Sequence, residues 1–171
     1  MKRRPCRAMH LGLAALLGLA LAPAAAAAGC FDAPAPGVEW QRCLFDGTDL
    51  QGRDLTGANL REGSFSRANL SNAILNGADA RRARFVTANL SGADFQDARL
   101  FETDLTKATL TDANLRGADL RGARFFRSDL RRADLTGAKI ERASFLNADL
   151  SGAIWVDGTK VCAEGSIGQC S

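Results

Sequence analysis

The chain has 171 residues, which is enough for one ordinary domain of about 150 residues and little more. Its hydrophobic content of 46% and charged content of 24% exclude a disordered chain and a membrane bundle. There is no Tyr, and the one His and both Met fall within the first ten residues. If that segment is removed on export, the mature chain has no His for a relay or a metal site and no Tyr general acid. Composition therefore favours a structural or binding protein over an enzyme.

The first 29 residues have the pattern of a signal peptide. A basic stretch at residues 2–7 precedes twelve apolar residues at 11–22, a run too short to span about 30 Å of hydrocarbon. Small side chains at Ala26 and Ala28 fit a signal-peptidase site. The pattern predicts export by the Sec route, with the mature protein in the periplasm or outside the cell.

A second interpretation of this segment stays open, because residues 27–30 (Ala-Ala-Gly-Cys) form a loose lipobox whose cysteine would be acylated. Ala27 stands where a larger aliphatic residue is usual. Cys6 leaves with the signal, and acylation of Cys30 would strand one of the four remaining cysteines. We therefore expect contact with a membrane only if Cys30 is lipidated.

Removal of the signal also changes the charge. The precursor has a net charge of +3, whereas the mature chain has 18 cations against 19 carboxylates, a net charge of −1. The basic character thus belongs to the export segment, and the sequence gives no electrostatic indication of binding to nucleic acid.

A five-residue pattern fills the chain from residue 58 onward, as in GANL at 57–60 and GADL at 117–120. Of the twenty apolar centres from 60 to 155, all but Ala80 and Trp155 are Leu, Phe or Ile. Ala stands two residues before the centre at seventeen of these twenty positions. A period of five fits neither a helix nor simple strand alternation, and a short period sustained over most of a chain indicates a solenoid.

The phenylalanines reveal a longer period. Five of the nine are separated by multiples of twenty residues: Phe45, Phe65, Phe85, Phe125 and Phe145. Twenty residues make four units, so the spacing predicts a square coil on which these rings stack along one side. We call this side, centred on residues 45, 65, 85, 105, 125 and 145, the Phe wall. Prolines end at Pro36, which fits a ladder that uses nearly every backbone N–H.

These units resemble the A(D/N)LXX repeat of the pentapeptide-repeat proteins, from about Cys43 to Trp155. The resemblance implies an all-β fold, a right-handed quadrilateral parallel β-helix with the centre and the preceding Ala pointing inward. We divide the chain into signal peptide (1–29), N-terminal cap (30–44), β-helix (45–155) and C-terminal cap (156–171). Asp or Asn before the centre, as at Asn59 and Asp104, is expected to stabilise a turn rather than to bind cations. Ala80 is expected to leave a small defect.

Each end carries two cysteines and a nearby Trp, which predicts disulfide-stapled caps for a solenoid whose bare ends would otherwise polymerise. We expect local pairing of Cys30 with Cys43 and of Cys162 with Cys170, because cross-pairing would require the two ends of a rod to meet. Zinc is the alternative, but the two pairs would then lie a rod length apart. The C-terminal tail resembles the ending of many exported bacterial pentapeptide-repeat proteins, which supports an envelope location.

The outer surface is predicted to be electrically lopsided. Five cations face two carboxylates on the Phe wall, whereas five Asp face one Arg on the opposite wall, which is centred on residues 55, 75, 95, 115, 135 and 155. Exposed apolar side chains flanked by arginine are a candidate partner surface. Its residues are Val86, Arg124, Phe126, Arg127 and Leu146. We predict no catalytic residue, cofactor, metal or small-molecule substrate.

Two functions follow from these observations. The first is a non-enzymatic exported structural or protein-interaction module with an unknown protein partner. The alternative is implied by the resemblance alone: some family members mimic duplex DNA and protect or inhibit the topoisomerase gyrase. The mature net charge of −1 and the export signal depart from that pattern.

Overall fold

The computed structural model describes residues 29–171, so the predicted signal peptide, apart from Gly29, lies outside the described residues. From Glu39 to Ile154 the chain winds into a coil of twenty residues per turn. Every β-bridge in this stretch joins a residue in parallel to the residue twenty positions later, from Glu39↔Asn59 to Asp134↔Ile154. The described residues contain no helix and no strand longer than a single bridge residue. The predicted twenty-residue coil is confirmed.

Each five-residue unit ends in a tight turn, and four turns per coil give the coil four sides. The N–H of Ala58 donates to the carbonyl of Leu55 at 3.0 Å, and Gly57 between them has φ 65°. A positive φ at this position is the mark of a type II turn. The corresponding residue has a positive φ in every unit from Gly37 to Gly152, and fourteen of these positions hold residues other than glycine. The ladder, rather than glycine alone, therefore holds the corners in place.

Asp and Asn before the centres cap these turns, as predicted. Asp104 Oδ1 accepts from the backbone N–H of Thr106 at 3.1 Å, and Asp134 Oδ1 accepts from that of Thr136 at 2.9 Å. Asn69 does the same for Ser71 at 3.2 Å. A carboxylate or amide two residues before a turn amide satisfies that amide where the ladder does not reach it.

The core is a column of centres and alanines, and the phenylalanines stack along it as predicted. Ring centroids lie 5.5 Å apart for Phe45–Phe65, 5.1 Å for Phe65–Phe85 and 4.9 Å for Phe125–Phe145. Leu105 separates the two stacks. Buried Trp40 packs against Phe45 from the neighbouring side, with ring centroids 4.2 Å apart and the rings tilted by 41°. It occupies the centre of a unit, so the coil reaches back to this residue.

The core adjusts at Ala80, the one Ala at a centre. Thr103, one of the three exceptions among the usual alanine positions, is fully buried and donates from its hydroxyl to the carbonyl of Ala80 at 2.9 Å. A residue larger than usual thus lies against a residue smaller than usual.

The two disulfides join the cysteines that local pairing predicted. The Cα atoms of Cys30 and Cys43 lie 5.3 Å apart, and those of Cys162 and Cys170 lie 4.8 Å apart. At the front, the indole of Trp40 donates to the carbonyl of Asp32 at 3.3 Å. These contacts fix the N-terminal segment to the first coil.

The C-terminal tail closes two sides of the last coil in the reverse direction. Its bridges Ile154↔Val161 and Asp149↔Ile167 are antiparallel, unlike every bridge of the coil. The N–H of Trp155 donates to Lys160 at 2.8 Å and that of Leu150 to Ser166 at 2.9 Å. Because the tail occupies these edges in the opposite direction, a further parallel coil cannot pair with them.

Candidate interaction surface

The twenty-residue register brings the apolar members of the predicted partner surface onto one line. Arg84, Asp104, Arg124 and Ser144 are bridged in series, so the residues two positions later stack on successive coils. We call this second line the apolar column. It consists of Val86, Thr106, Phe126 and Leu146 and follows the centres of the Phe wall.

The apolar column lies nearly flush with the rod. Val86, Thr106 and Phe126 are half-buried, and only Leu146 is prominent, with 61% of its surface exposed. Thr106 adds no exposed hydroxyl because its Oγ1 is buried, and this atom makes no hydrogen bond within residues 29–171. The column is therefore a shallow apolar strip and not a row of protruding side chains.

Cations flank the strip on both sides. Arg84 and Arg124 precede the centres, and Lys107 and Arg127 lie at the turns that follow. The Arg127 guanidinium lies 5.1 Å from the centroid of the Phe126 ring, within cation–π range. Within the part of the chain that the structure describes, these cations form one ion pair, the long contact of 3.9 Å between Arg124 and Asp104.

Seven arginines on other sides are paired much more closely. In three repeats of the sequence Asp-x-Arg, the guanidinium donates from Nε to Oδ1 at 2.8–2.9 Å and from Nη2 to Oδ2 at 2.6–2.7 Å. We call these the Asp–Arg clips, and they are Asp79–Arg81, Asp119–Arg121 and Asp129–Arg131. Further pairs of 2.6–2.8 Å join neighbouring coils, namely Arg42–Glu62, Arg82–Glu102 and Arg132–Asp112.

The clips also set the titration of their carboxylates. The hydrogen bonds from Arg121 hold the pKa of Asp119 below its usual value, and those from Arg131 do the same for Asp129. Partial burial opposes the shift in both. These carboxylates are therefore ionised partners of arginine at neutral pH.

Four of the five aspartates of the opposite wall accept hydrogen bonds from the backbone of their own turns: Asp54, Asp94, Asp134 and Asp157. The Thr56 hydroxyl and amide lower the pKa of Asp54, and the amides of Lys160 and Thr159 lower that of Asp157. Asp134 also accepts from Arg116 at 2.9 Å. Across residues 29–171, no group of three or more His, Cys, Asp or Glu side chains is placed to hold a metal ion. No helix of this part is long and apolar enough to cross a membrane.

Sequence reasoning missed one concave site. A pocket of about 200 Å³ is lined by Arg61, Glu62, Arg81, Arg82 and Phe101. The centroid of the Phe101 ring lies 5.9 Å from the guanidinium of Arg121. The one signal in the sequence was that Phe101 lies off the twenty-residue spacing of the phenylalanines of the Phe wall. Two of its three arginines already bind carboxylates of the rod, so the pocket is a weaker candidate than the Phe wall.

Comparison with known proteins agrees with this architecture. The sequence model for "Pentapeptide repeats" matches residues 64–100, 88–127 and 128–154 in eight copies, which is more than half of the chain. No curated protein gave a match.

Solved pentapeptide-repeat structures are similar as well. HetL, involved in heterocyst differentiation regulation in the cyanobacterium Nostoc sp., is 29% identical over 72% of this chain and 62% of its own, with a TM-score of 0.53. Rfr23 from the cyanobacterium Cyanothece is 28% identical over 71% and 66% (TM-score 0.41). QnrB1, a plasmid-mediated fluoroquinolone resistance protein, is 28% identical over 67% and 61% (TM-score 0.41). The chain spans about three-fifths of the length of HetL and QnrB1. The repeat match and the twenty-residue coil together show that the chain belongs to the pentapeptide-repeat family, whose members fold as right-handed quadrilateral β-helices.

Proposed function

We propose that the protein is a non-enzymatic, exported protein-interaction module that binds its partner through the Phe wall. The observation that carries the proposal is the apolar column between cations that lack close carboxylate partners. Of the eleven described arginines outside the Phe wall, seven are neutralised at 2.6–2.9 Å. Arg53, Arg61, Arg99 and Arg142 are the four without such a close pair in the described part of the chain. Exposed apolar surface beside unpaired charge is typical of a surface that is completed by another molecule.

The rod suits binding better than catalysis. Its interior is filled by Leu, Phe and Ala side chains that are nearly all fully buried, and its surface is a ladder of short turns. The repeated Asp side chains, which are the commonest acids, are engaged by turn amides or by arginine. Such a scaffold fixes the positions of surface side chains at coil spacings of about 4.8 Å.

The proposed location is the periplasm or the extracellular space. It is supported by the signal-peptide pattern in the sequence and by two disulfides, which persist in oxidising compartments. Cell fractionation with a periplasmic and a cytoplasmic marker tests it. Recovery of the protein with the cytoplasmic marker would refute export.

Site-specific cross-linking in living cells tests the surface. A photoreactive phenylalanine at Phe126 is compared with the same residue at Thr136, which occupies the equivalent turn position at the opposite corner of the same coil. We expect a protein adduct at 126 and none at 136. Absence of an adduct at 126 in correctly exported protein, or equal adducts at both, would defeat the proposal.

One observation favours the DNA-mimic alternative, namely the acidic opposite wall, where five Asp face one Arg. The opposite sign of the Phe wall argues against it, because a duplex presents anionic phosphates all around its axis. An assay of gyrase supercoiling with the purified protein separates the two functions. We expect no protection and no inhibition, and a dose-dependent effect would favour the mimic.

A further inference from the structure

We propose that the segment bound by the Phe wall is an acidic amphipathic α-helix that lies along the rod axis. This inference rests on the proposed function and adds the chemistry of the partner. It is carried by the spacing of the apolar column and by the placement of the cations on its two sides.

The spacing favours a helix over an extended peptide. The four residues of the apolar column lie on successive coils, about 4.8 Å apart along the axis. The apolar seam of an amphipathic helix advances by about 3.5 residues per contact, or about 5.3 Å at 1.5 Å per residue. Same-face residues of an extended strand are about 6.7 Å apart, so the register is lost within two coils. Three steps of the column correspond to about three helical turns.

The cations define the flanks of that helix. Arg84 and Arg124 lie on one side of the column, and Lys107 and Arg127 lie on the other. Asp104 stands between the first two, but its contact with Arg124 is 3.9 Å long. A bound helix with Glu or Asp on both sides of its apolar seam would supply the carboxylates that these cations lack within the described chain.

An anionic membrane is the other surface that unpaired cations and apolar side chains can meet. The column suits it poorly, because Val86 and Phe126 are half-buried and only Leu146 protrudes. Insertion below lipid headgroups requires side chains that extend beyond the surrounding charges. A helix suits the shallow apolar column better, because the apolar side chains that protrude into the contact then belong to the helix.

Peptide binding measured by fluorescence anisotropy tests the inference on the full exported protein. The probe is a labelled fourteen-residue helix with Leu at the seam and Glu on both flanks. One control has the same composition in scrambled order, and a second carries Lys in place of Glu. Vesicles of phosphatidylglycerol form the membrane arm. We expect the Glu helix to bind at least about tenfold more tightly than either control peptide and the vesicles to remain unbound.

Two charge reversals locate the site. Arg127→Glu removes a flanking cation and is expected to weaken binding of the Glu helix about tenfold. Arg53→Glu makes the same charge change at an exposed arginine outside the Phe wall, which also forms no ion pair within residues 29–171, and is expected to leave binding unchanged. Thermal unfolding of both variants checks that each is folded.

The possible outcomes separate this inference from the proposed function. Three results would overturn the inference of an acidic helix: equal binding of the scrambled peptide, equal loss of binding in the Arg127 and Arg53 variants, or binding of the vesicles. If the peptides fail while the photoreactive residue at 126 still captures a protein, the interaction surface stands and its partner is not an acidic helix. If position 126 captures nothing, the proposed function itself fails.

Discussion

The Phe wall and the Asp–Arg clips are built on the same backbone ladder and differ in what their arginines contact. In the clips, Asp precedes the centre and Arg follows it, so both side chains leave the same turn and meet at 2.6–2.9 Å. On the Phe wall, Arg84 and Arg124 stand before the centres, and the apolar Val86 and Phe126 follow them in place of a charged partner. The backbone ladder therefore fixes only where each side chain lies. The residues on either side of a centre decide whether a cation at that place is neutralised within the rod.

The largest expected effect is the difference in lost stability between truncating a buried phenylalanine of the Phe wall and truncating its outward-facing neighbour. Phe125 is fully buried in the ring stack, whereas its neighbour Phe126 lies in the apolar column. Phe125→Ala is expected to lower the free energy of unfolding by about 3–5 kcal/mol because it opens a cavity. Phe126→Ala is expected to change it by less than about 1 kcal/mol. Urea denaturation measures both, and similar losses would show that Phe126 is part of the core.

The next effect concerns the core beneath one clip, at Ala80 and Thr103. Ala80→Leu would fill the small defect expected at this centre, but Thr103 already contacts the backbone carbonyl of Ala80, so we expect the added side chain to compete with Thr103 for space. We expect the double variant Ala80→Leu/Thr103→Ala to exceed the sum of the single changes by about 1 kcal/mol. Urea denaturation of all four proteins gives the coupling. Strict additivity would mean that the two sites do not share space.

Acid titration should distinguish the clips from the Phe wall. The folded-state pKa values of Asp119 and Asp129 lie below the ordinary value of 3.8, so their stabilisation is present above that value and is lost as pH falls through the folded pKa. Arg121→Gln with Arg131→Gln should therefore flatten the loss of stability below about pH 4. Arg84→Gln with Arg127→Gln should flatten it much less, because the hydrogen bond from Ser64 is the main cause of the lowered pKa of Asp46 and the charge of Arg84 is a minor one. Urea titrations at pH 2–7 measure both double variants. A larger flattening for the Phe-wall variant than for the clip variant would contradict the difference between the two regions.

The smallest effect is that of single surface pairs on stability. Arg132 pairs with Asp112 at 2.6 Å, but both side chains are more than half exposed. Arg132→Ala should lower stability only slightly, because both partners are exposed, and Arg127→Ala should lower it less still. Thermal unfolding at low and high salt checks this, since only the Arg132 variant should lose salt sensitivity. A loss of several kcal/mol for either would contradict a peripheral role.

Most of the fold was predictable because each repeat position meets one environment. The Phe spacing predicted the coil length, Asn59 and Asp104 predicted turns, and the positions of the cysteines predicted their pairing. The antiparallel tail was not predictable, since residues 156–171 carry no repeat and pair with edges that sequence spacing does not reveal.

Side-chain partnerships were only partly accessible from the sequence. The clips can be recognised as Asp-x-Arg across a centre, and the pairs between coils follow the twenty-residue register. Thr103 against Ala80 could not be foreseen, because the contact runs from a hydroxyl to a backbone carbonyl between different sides of the coil. The column of Val86, Phe126 and Leu146 and the excess of cations around it were predictable from the register, but the absence of close ion pairs among the described cations required the structure.

The most direct test of the central claim compares the four corners of a single coil. Arg121, Phe126, Arg131 and Thr136 occupy the same turn position on successive sides. The same photoreactive residue is placed at each in turn, and protein adducts are quantified in living cells. The account predicts that adducts concentrate at position 126. Equal yields at all four corners, or a maximum at 136, would contradict a partner surface on the Phe wall.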